Sequence, residues 1–117
     1  KQRKQFGKRL IDFEMVQQML ADMAIKTEAA RVLVNNCMRQ MDAGEMVRKD
    51  GAIVKTFVTD AMQEVVSNAV QVLGGYGYSE EYPVEKLMRD AKIFQIFEGS
   101  NQIQRMTIAK ELDREYR

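Results

Sequence analysis

Histidine is absent from this sequence of 117 residues, and tryptophan is absent as well. Without histidine, the chain alone supplies neither a Ser-His-Asp or Cys-His catalytic system nor a zinc site with histidine ligands. Cysteine occurs once, at Cys37, so an internal disulfide is excluded and a reducing compartment is favoured. We therefore expect no metal site and no reaction that depends on an imidazole of this chain.

An excess of charge of one sign is also missing, because 18 Lys and Arg side chains face 17 Asp and Glu side chains. A nucleic-acid surface needs clustered basic charge without compensation, so this balance argues against a nucleic-acid partner. Apolar runs are only a few residues long, and no membrane span is expected from them. A hydrophobic share of 45% with a charged share of 30% is typical of a globular domain, not of a disordered chain.

Helix breakers are few, since proline occurs once, at Pro83, and glycine seven times. The stretches between them are rich in good helix formers such as Ala, Met, Leu, Lys, Glu and Gln. From residue 10 to residue 42, apolar or small side chains recur every three or four positions, which predicts one helix on the order of 50 Å long. A helix of that length indicates a bundle, a larger chain or an oligomer.

Three further helices are predicted. The second covers residues 51–73 with Asp50 as its cap, and the third begins at Pro83. The fourth begins at Asn101, where Gln104 three residues later resembles a capping box, and continues to about residue 116. We therefore expect an all-α, antiparallel helical bundle, and we expect it to be incomplete because the sequence opens abruptly at Lys1.

Three segments are candidates for chemistry, each with a structural alternative. Glycines at 74, 75 and 77 fit either a phosphate-binding turn or a helix C-cap followed by a tight turn. Glu98 beside Gly99 fits either a partly desolvated base or an acidic loop residue near the start of a helix. The basic side chains within residues 1–9 fit either a pyrophosphate site or a solvated helix entrance. Taken one at a time, the structural alternative is favoured in each case.

In combination, the order and spacing of these segments resemble the C-terminal domain of acyl-CoA dehydrogenases. The matching blocks are Gln-x-x-Gly-Gly-x-Gly-Tyr from Gln71, Arg-Asp-Ala-Lys from Arg89 and Glu-Gly-Ser-x-Gln-Ile-Gln-Arg from Glu98. A further block, Arg-Lys-Gln-Phe-Gly-Lys, begins at Arg3. The resemblance covers essentially the whole chain and is strongest to the medium- and short-chain branch.

The resemblance implies a flavoprotein with an N-terminal helical domain, a middle β-barrel and a C-terminal helical bundle, usually assembled as a homotetramer. Residues 1–117 would form the last of these domains, without the first two. Such enzymes oxidise a straight-chain acyl-CoA to trans-2-enoyl-CoA with FAD as hydride acceptor, and electron-transfer flavoprotein receives the electrons. The implied location is the bacterial cytoplasm or the mitochondrial matrix, and the chain by itself is expected to be inactive.

The resemblance also implies roles for individual residues. Glu98 would be the catalytic base that removes the α-proton, while its backbone N–H binds the thioester carbonyl, and Gly99 would let the substrate lie close to the backbone. Six residues would contact FAD. Those directed to the cofactor of a neighbouring subunit are Arg3, Phe6, Gln71 and Gly75. Those directed to the cofactor of the same subunit are Ser100 and Gln102.

Two positions depart from the family pattern: Phe97 stands where tyrosine is usual, and Glu14 replaces a common glutamine. Branched-chain and long-chain relatives carry the base on a different helix, an arrangement that Glu98 argues against here. Two alternatives stay open. One is a non-catalytic helical interaction or assembly module of the same fold, and the other is an acyl-CoA oxidase, which shares the fold and the base but reacts with oxygen.

Overall fold

The structure is a computed structural model that describes residues 4–45 and 48–117. These residues form five α-helices preceded by a short hairpin and one 3-10 turn, which confirms the all-α prediction. The hairpin strands are β1 (Lys4–Gln5) and β2 (Lys8–Arg9), and the 3-10 turn covers Leu10–Asp12. The helices are α1 (Glu14–Asp42), α2 (Arg48–Leu73), α3 (Gly75–Tyr78), α4 (Val84–Phe94) and α5 (Asn101–Glu115).

Helices α1 and α2 lie side by side and antiparallel. Lys26 of α1 pairs with Glu64 of α2, and Ala30, further along α1, lies near Val58, which comes earlier on α2. The apolar stripe predicted for the first helix is mostly half-buried along this contact. The pairing explains why that helix exceeds the length a small core needs, because most of its apolar face is covered by one partner helix of similar length.

Helix α2 is the centre of the molecule, since α1, α3, α4 and α5 all contact it. Most of the buried residues belong to α2, and they are small. They are Ala52, Thr56, Thr59 and Ala61. Small side chains let neighbouring helices approach closely, so α2 can pack against several helices along its length.

Much apolar surface stays exposed on this elongated molecule, whose extents are 60 × 26 × 23 Å. Among the described residues, the buried apolar side chains are all alanines. Phe6, Met15 and Tyr78 are each at least 80% exposed. Apolar surface on this scale is typical of contacts with further protein. None of the helices in the described ranges is both long and apolar enough to cross a bilayer.

Two element boundaries differ from the sequence-based predictions. Asp50 lies inside the first turn of α2 and is not its cap. The glycine-rich segment predicted as a plain turn forms the one-turn helix α3 after Gly74, whose φ of +62° and ψ of −138° suit glycine alone.

The capping box predicted from Asn101 and Gln104 is wrong. Ser100 caps α5 instead, because its Oγ accepts a hydrogen bond from the backbone N–H of Ile103 at 3.3 Å. Asn101 is the first residue of the helix, and its side chain turns inward towards α2. Gln104 donates to the carbonyl of Glu98 rather than to a capping residue.

Candidate functional site

Glu98 lies in the turn that joins α4 to α5. Its backbone φ is +55°, and that of Gly99 is +80°. A left-handed φ is uncommon for a residue with a Cβ atom and persists only where the surroundings hold it. The turn is closed at its base, because the backbone N–H of Asn101 donates to the carbonyl of Gln95 at 2.9 Å. The sequence candidate for the base therefore sits on a tight, strained turn.

Side chains from two helices hold the carbonyl oxygens of this turn. Lys55 Nζ of α2 donates to the carbonyl of Gly99 at 2.9 Å, and Gln104 Nε2 of α5 donates to the carbonyl of Glu98 at 3.0 Å. A Cβ atom built at Gly99 would lie only 2.9 Å from Gln104 Nε2. Glycine at this position therefore serves both the positive φ and the close approach of the Gln104 amide.

Asp60 of α2 is the centre of a polar network beneath the turn. Its carboxylate accepts hydrogen bonds from Gln95 at 2.9 Å, Asn101 at 2.7 Å and Arg105 at 2.6 Å. Burial raises the pKa of Asp60, but the hydrogen bonds from these three side chains outweigh it, so the net pKa lies below the ordinary value of 3.8. An ionised carboxylate thus ties α2 to the start of the turn at Gln95 and to α5 at Asn101 and Arg105.

The carboxylate of Glu98 is exposed in this chain. Phe94 and Phe97 flank the turn with their rings edge to face, at a centroid distance of 5.0 Å, and are themselves 39% and 42% exposed. The partial desolvation considered for Glu98 is therefore not provided by the described residues alone. The aromatic pair supplies one apolar wall beside the turn.

A second cluster of candidate residues lies at the other end of α2. Phe6, Gln71 and Gly75 line one groove of about 410 Å³. Phe6 is 88% exposed at the tip of the β1–β2 hairpin, where it and Gly7 both have a positive φ, of 53° and 77°, as in the tight two-residue turns of hairpins. The hairpin thus carries the Phe6 ring to the groove beside the end of α2.

The glycines beside this groove differ in what surrounds them. A Cβ atom built at Gly74 or Gly75 would meet nothing within 4 Å, so the backbone there is open to a ligand. At Gly77, which is buried, a Cβ atom would lie 2.5 Å from the carbonyl oxygen of Val70. The segment therefore combines an accessible backbone at Gly74 and Gly75 with close helix packing at Gly77. The phosphate-binding interpretation stays a prediction.

The structure separates the predicted site residues into two groups. At 1.5 Å per residue, about 24 Å of α2 separate Lys55, which contacts the Glu98 turn, from Gln71. The first group is Glu98, Gly99, Ser100 and Gln102; the second is Phe6, Gln71 and Gly75. Arg3 lies outside the described residues. The roles of both groups towards FAD stay predictions.

Sequence reasoning missed Lys55 and Asp60 as parts of the site. Both precede the turn by more than thirty residues, and their contacts with it join positions 44 and 41 apart in the chain. No local motif marks them. The available signal was that both are polar and lie among the small residues of the predicted second helix.

Comparison with known proteins places the chain in a family. Residues 1–112 match the family described as Acyl-CoA dehydrogenase, C-terminal domain. Cyclohexane-1-carbonyl-CoA dehydrogenase of Geobacter metallireducens is 47% identical over 115 residues, which are 98% of this chain and 30% of that protein. The caffeyl-CoA reductase-Etf complex subunit CarC of Acetobacterium woodii is 45% identical over 109 residues, which are 93% of this chain and 29% of that protein.

A solved structure shows the same architecture. Butyryl-CoA dehydrogenase from Megasphaera elsdenii matches with a TM-score of 0.92 at 48% identity, over 96% of this chain and 29% of that one. The chain therefore spans only 29–30% of the length of the relatives it matches. The family match covers nearly the whole chain. The chain therefore belongs to the acyl-CoA dehydrogenase family and corresponds to the C-terminal helical domain of that family.

Proposed function

We propose that this chain is the C-terminal domain of a longer, FAD-dependent acyl-CoA dehydrogenase in which Glu98 is the catalytic base. Its substrate is a straight-chain acyl-CoA thioester, and its product is the trans-2-enoyl-CoA. The observation that carries the proposal is the position of Glu98, on a left-handed turn whose carbonyls are held by Lys55 and Gln104. Relatives 45–48% identical to the chain are named as a cyclohexane-1-carbonyl-CoA dehydrogenase, a subunit of a caffeyl-CoA reductase-Etf complex and a butyryl-CoA dehydrogenase.

In the proposed reaction, the Glu98 carboxylate accepts the proton from the α-carbon of the thioester. A carboxylate is a weak base towards a carbon acid in water, so the thioester carbonyl must be polarised and water excluded. The backbone N–H of Glu98 is the donor we assign to the carbonyl oxygen. Since Glu98 is exposed in this chain, the surfaces that exclude water come from the bound substrate and cofactor and from protein beyond the described residues.

The residues present fit a flavin cofactor. Phe6 offers an aromatic face and Gln71 an amide beside the open backbone of Gly75, all along one groove. At the Glu98 turn, Ser100 accepts a hydrogen bond from Ile103 and keeps its own hydroxyl hydrogen to donate. Acyl-CoA dehydrogenases are FAD-dependent, and FAD supplies the hydride acceptor for the β-carbon. We assign Phe6, Gln71 and Gly75 to the cofactor of a neighbouring subunit and Ser100 and Gln102 to that of the same subunit.

The exposed apolar surface supports the proposal that the chain has protein partners. Across residues 4–45 and 48–117, the buried apolar side chains are alanines, while twenty large hydrophobic side chains are exposed. We propose that other domains and further copies of the chain cover this surface in a homotetramer. Electron-transfer flavoprotein is the electron acceptor we propose, and the relative CarC is named as a subunit of an Etf complex.

The test is flavin reduction in the complete protein that contains this chain, mixed anaerobically with straight-chain acyl-CoAs of graded length. Glu98→Gln should slow the bleaching of flavin absorbance by about 10²–10⁴-fold, because it removes the base, and should leave the FAD content unchanged. Glu111→Gln, which neutralises a carboxylate elsewhere on α5, should bleach at the normal rate. Normal bleaching by Glu98→Gln would contradict the role of Glu98, and no bleaching by the unaltered protein would favour a non-catalytic module.

A further inference from the structure

We propose that Lys55 is a positioning residue for Glu98, which acts by holding the turn that carries the base. The inference rests on the proposed function of Glu98. Lys55 lies on α2, whereas the turn joins α4 to α5. It therefore supplies an anchor for the base from outside the segment that contains it.

The ammonium group of Lys55 bridges the two residues on either side of Ser100. It donates to the carbonyl of Gly99 at 2.9 Å and to the side-chain oxygen of Asn101 at 2.5 Å. An ammonium group has three hydrogens, so both bonds form at once. Both bonds carry the charge of the lysine, which makes them stronger than bonds between neutral groups. The Gly99 peptide is thus tied to α2 directly.

Asn101 ties the same turn to α2 a second time. Only 3% of it is exposed, and its amide nitrogen donates to Thr59 Oγ1 at 2.8 Å and to Asp60 Oδ1 at 2.7 Å. Its backbone N–H closes the turn on the carbonyl of Gln95. The side chain of Asn101, which accepts the hydrogen bond from Lys55, is therefore itself held in place by α2.

The turn needs such an anchor because of its backbone conformation. Glu98 has a φ of +55°, which costs energy for a residue with a Cβ atom, and relaxation would rotate the peptides that follow it. Rotation of the Gly99 peptide would break its bond with Lys55. A small displacement of a reacting group strongly lowers the rate of its reaction. Loss of Lys55 should therefore slow proton abstraction by Glu98 more than it weakens binding of the acyl-CoA.

Lys49 provides a matched control on the same helix. It also links α2 to α5, through Glu115, and its side chain is only 19% exposed. It touches the far end of α5 and not the Glu98 turn. Lys49→Met therefore removes a comparable link between the two helices without altering the turn, and separates a positioning role from general packing.

The experiment uses the complete protein with bound FAD and an acyl-CoA analogue that carries sulfur in place of the β-carbon. This analogue has no β-hydrogen, so exchange of its α-hydrogen for solvent deuterium, followed by mass spectrometry, reports proton abstraction alone. We expect Lys55→Met to slow exchange by about 10–100-fold, with FAD content and the dissociation constant of the analogue within twofold of the unaltered protein. Lys49→Met should exchange at the normal rate, and Lys55→Arg should recover part of the loss.

Normal exchange by Lys55→Met, or an equal loss in Lys49→Met, would overturn the inference. Should Lys55→Met fail to fold, Lys55→Gln, which keeps a shorter neutral donor, decides the same comparison. The Glu98→Gln variant distinguishes failure of the proposed function from failure of the role of Lys55. If it exchanges normally, the proposed function fails together with this inference. If it does not exchange while Lys55→Met exchanges at the normal rate, only the role of Lys55 fails.

Discussion

Ser100 connects the Glu98 turn to helix α5 through the hydrogen bond that its Oγ accepts from Ile103. This bond satisfies one of the backbone donors that the first turn of a helix leaves unpaired. The same residue is our candidate for a hydroxyl contact with FAD. A single side chain thus serves the stability of α5 and the position of the site beside it.

Ser100→Ala should therefore loosen the start of α5. Loss of an N-cap costs about 1 kcal/mol, equivalent to about fivefold faster opening of the first helical turn. The measurement is amide hydrogen exchange of residues 101–105, with Ser100→Thr as the control that retains a capping hydroxyl. Equal exchange in the alanine and threonine variants would show that the cap contributes nothing.

The polar residues of the site show where sequence reasoning reaches its limit. Glu98 and Gly99 could be proposed as site residues because they belong to a compact block of consecutive residues. Lys55 and Asp60 were not, because their contacts with the turn depend on how α2 packs against α4 and α5. Asn101 carries the pattern of a helix cap, but burial against Thr59 redirects its side chain, and tertiary packing overrides the local preference.

At the scale of elements, long apolar periodicity was a reliable guide. The extents predicted for α1, α2, α4 and α5 agree with the structure within a few residues. The β1–β2 hairpin was not predictable, since strands of two residues carry no periodicity. Its turn also places Phe6 at a positive φ, where a glycine or asparagine is the usual signal.

Helix α3 packs against the end of α2 through a glycine. A Cβ atom at Gly77 would lie 2.5 Å from the oxygen and 2.9 Å from the Cα of Val70, and backbone atoms cannot move aside as a side chain can. Gly77→Ala should therefore destabilise the protein by about 1–3 kcal/mol. The measurement is the thermal midpoint of the FAD-free protein.

The neighbouring Gly75→Ala is the control for this packing contact. Its Cβ atom would meet nothing within 4 Å, and its backbone φ is not positive. The thermal midpoint of this variant should stay that of the unaltered protein or rise slightly, since alanine favours helix. If the two alanine variants unfolded at the same temperature, close packing of α3 on α2 would be wrong.

At the scale of the whole molecule, the other helices pack around α2, and their outer faces leave apolar side chains exposed. The buried side chains of α2 are small. Asp60 joins α2 to Gln95, directly after α4, and to Asn101 and Arg105 of α5. The apolar stripes predicted from the sequence established that the helices have packing faces. They did not show which faces meet within this chain, because several of the same residue types stay exposed.

The Asp60 network should make the stability of the molecule depend on acid. The pKa of Asp60 in the folded protein lies below its ordinary value of 3.8, since hydrogen bonds outweigh burial. Its stabilisation is therefore fully present above that ordinary value and is lost as the pH falls through the lower, folded value. Asp60→Asn should lower the thermal midpoint at pH 7 and flatten its decline below about pH 4.

Thermal midpoints measured across this pH range provide the check. Asp113→Asn, at an exposed position near the end of α5, should decline in acid in parallel with the unaltered protein. If the thermal midpoint of Asp60→Asn also declined in parallel, the ionised Asp60 carboxylate would not be a source of the acid sensitivity.

The most direct measurement of the central claim is a crystal structure of the complete protein with FAD and an acyl-CoA bound. We expect a carboxylate oxygen of Glu98 about 3–3.5 Å from the α-carbon of the thioester, with the Glu98 N–H directed at the carbonyl oxygen of the thioester. A Glu98 side chain that still extends into open solvent, with the thioester bound elsewhere, would contradict the central claim.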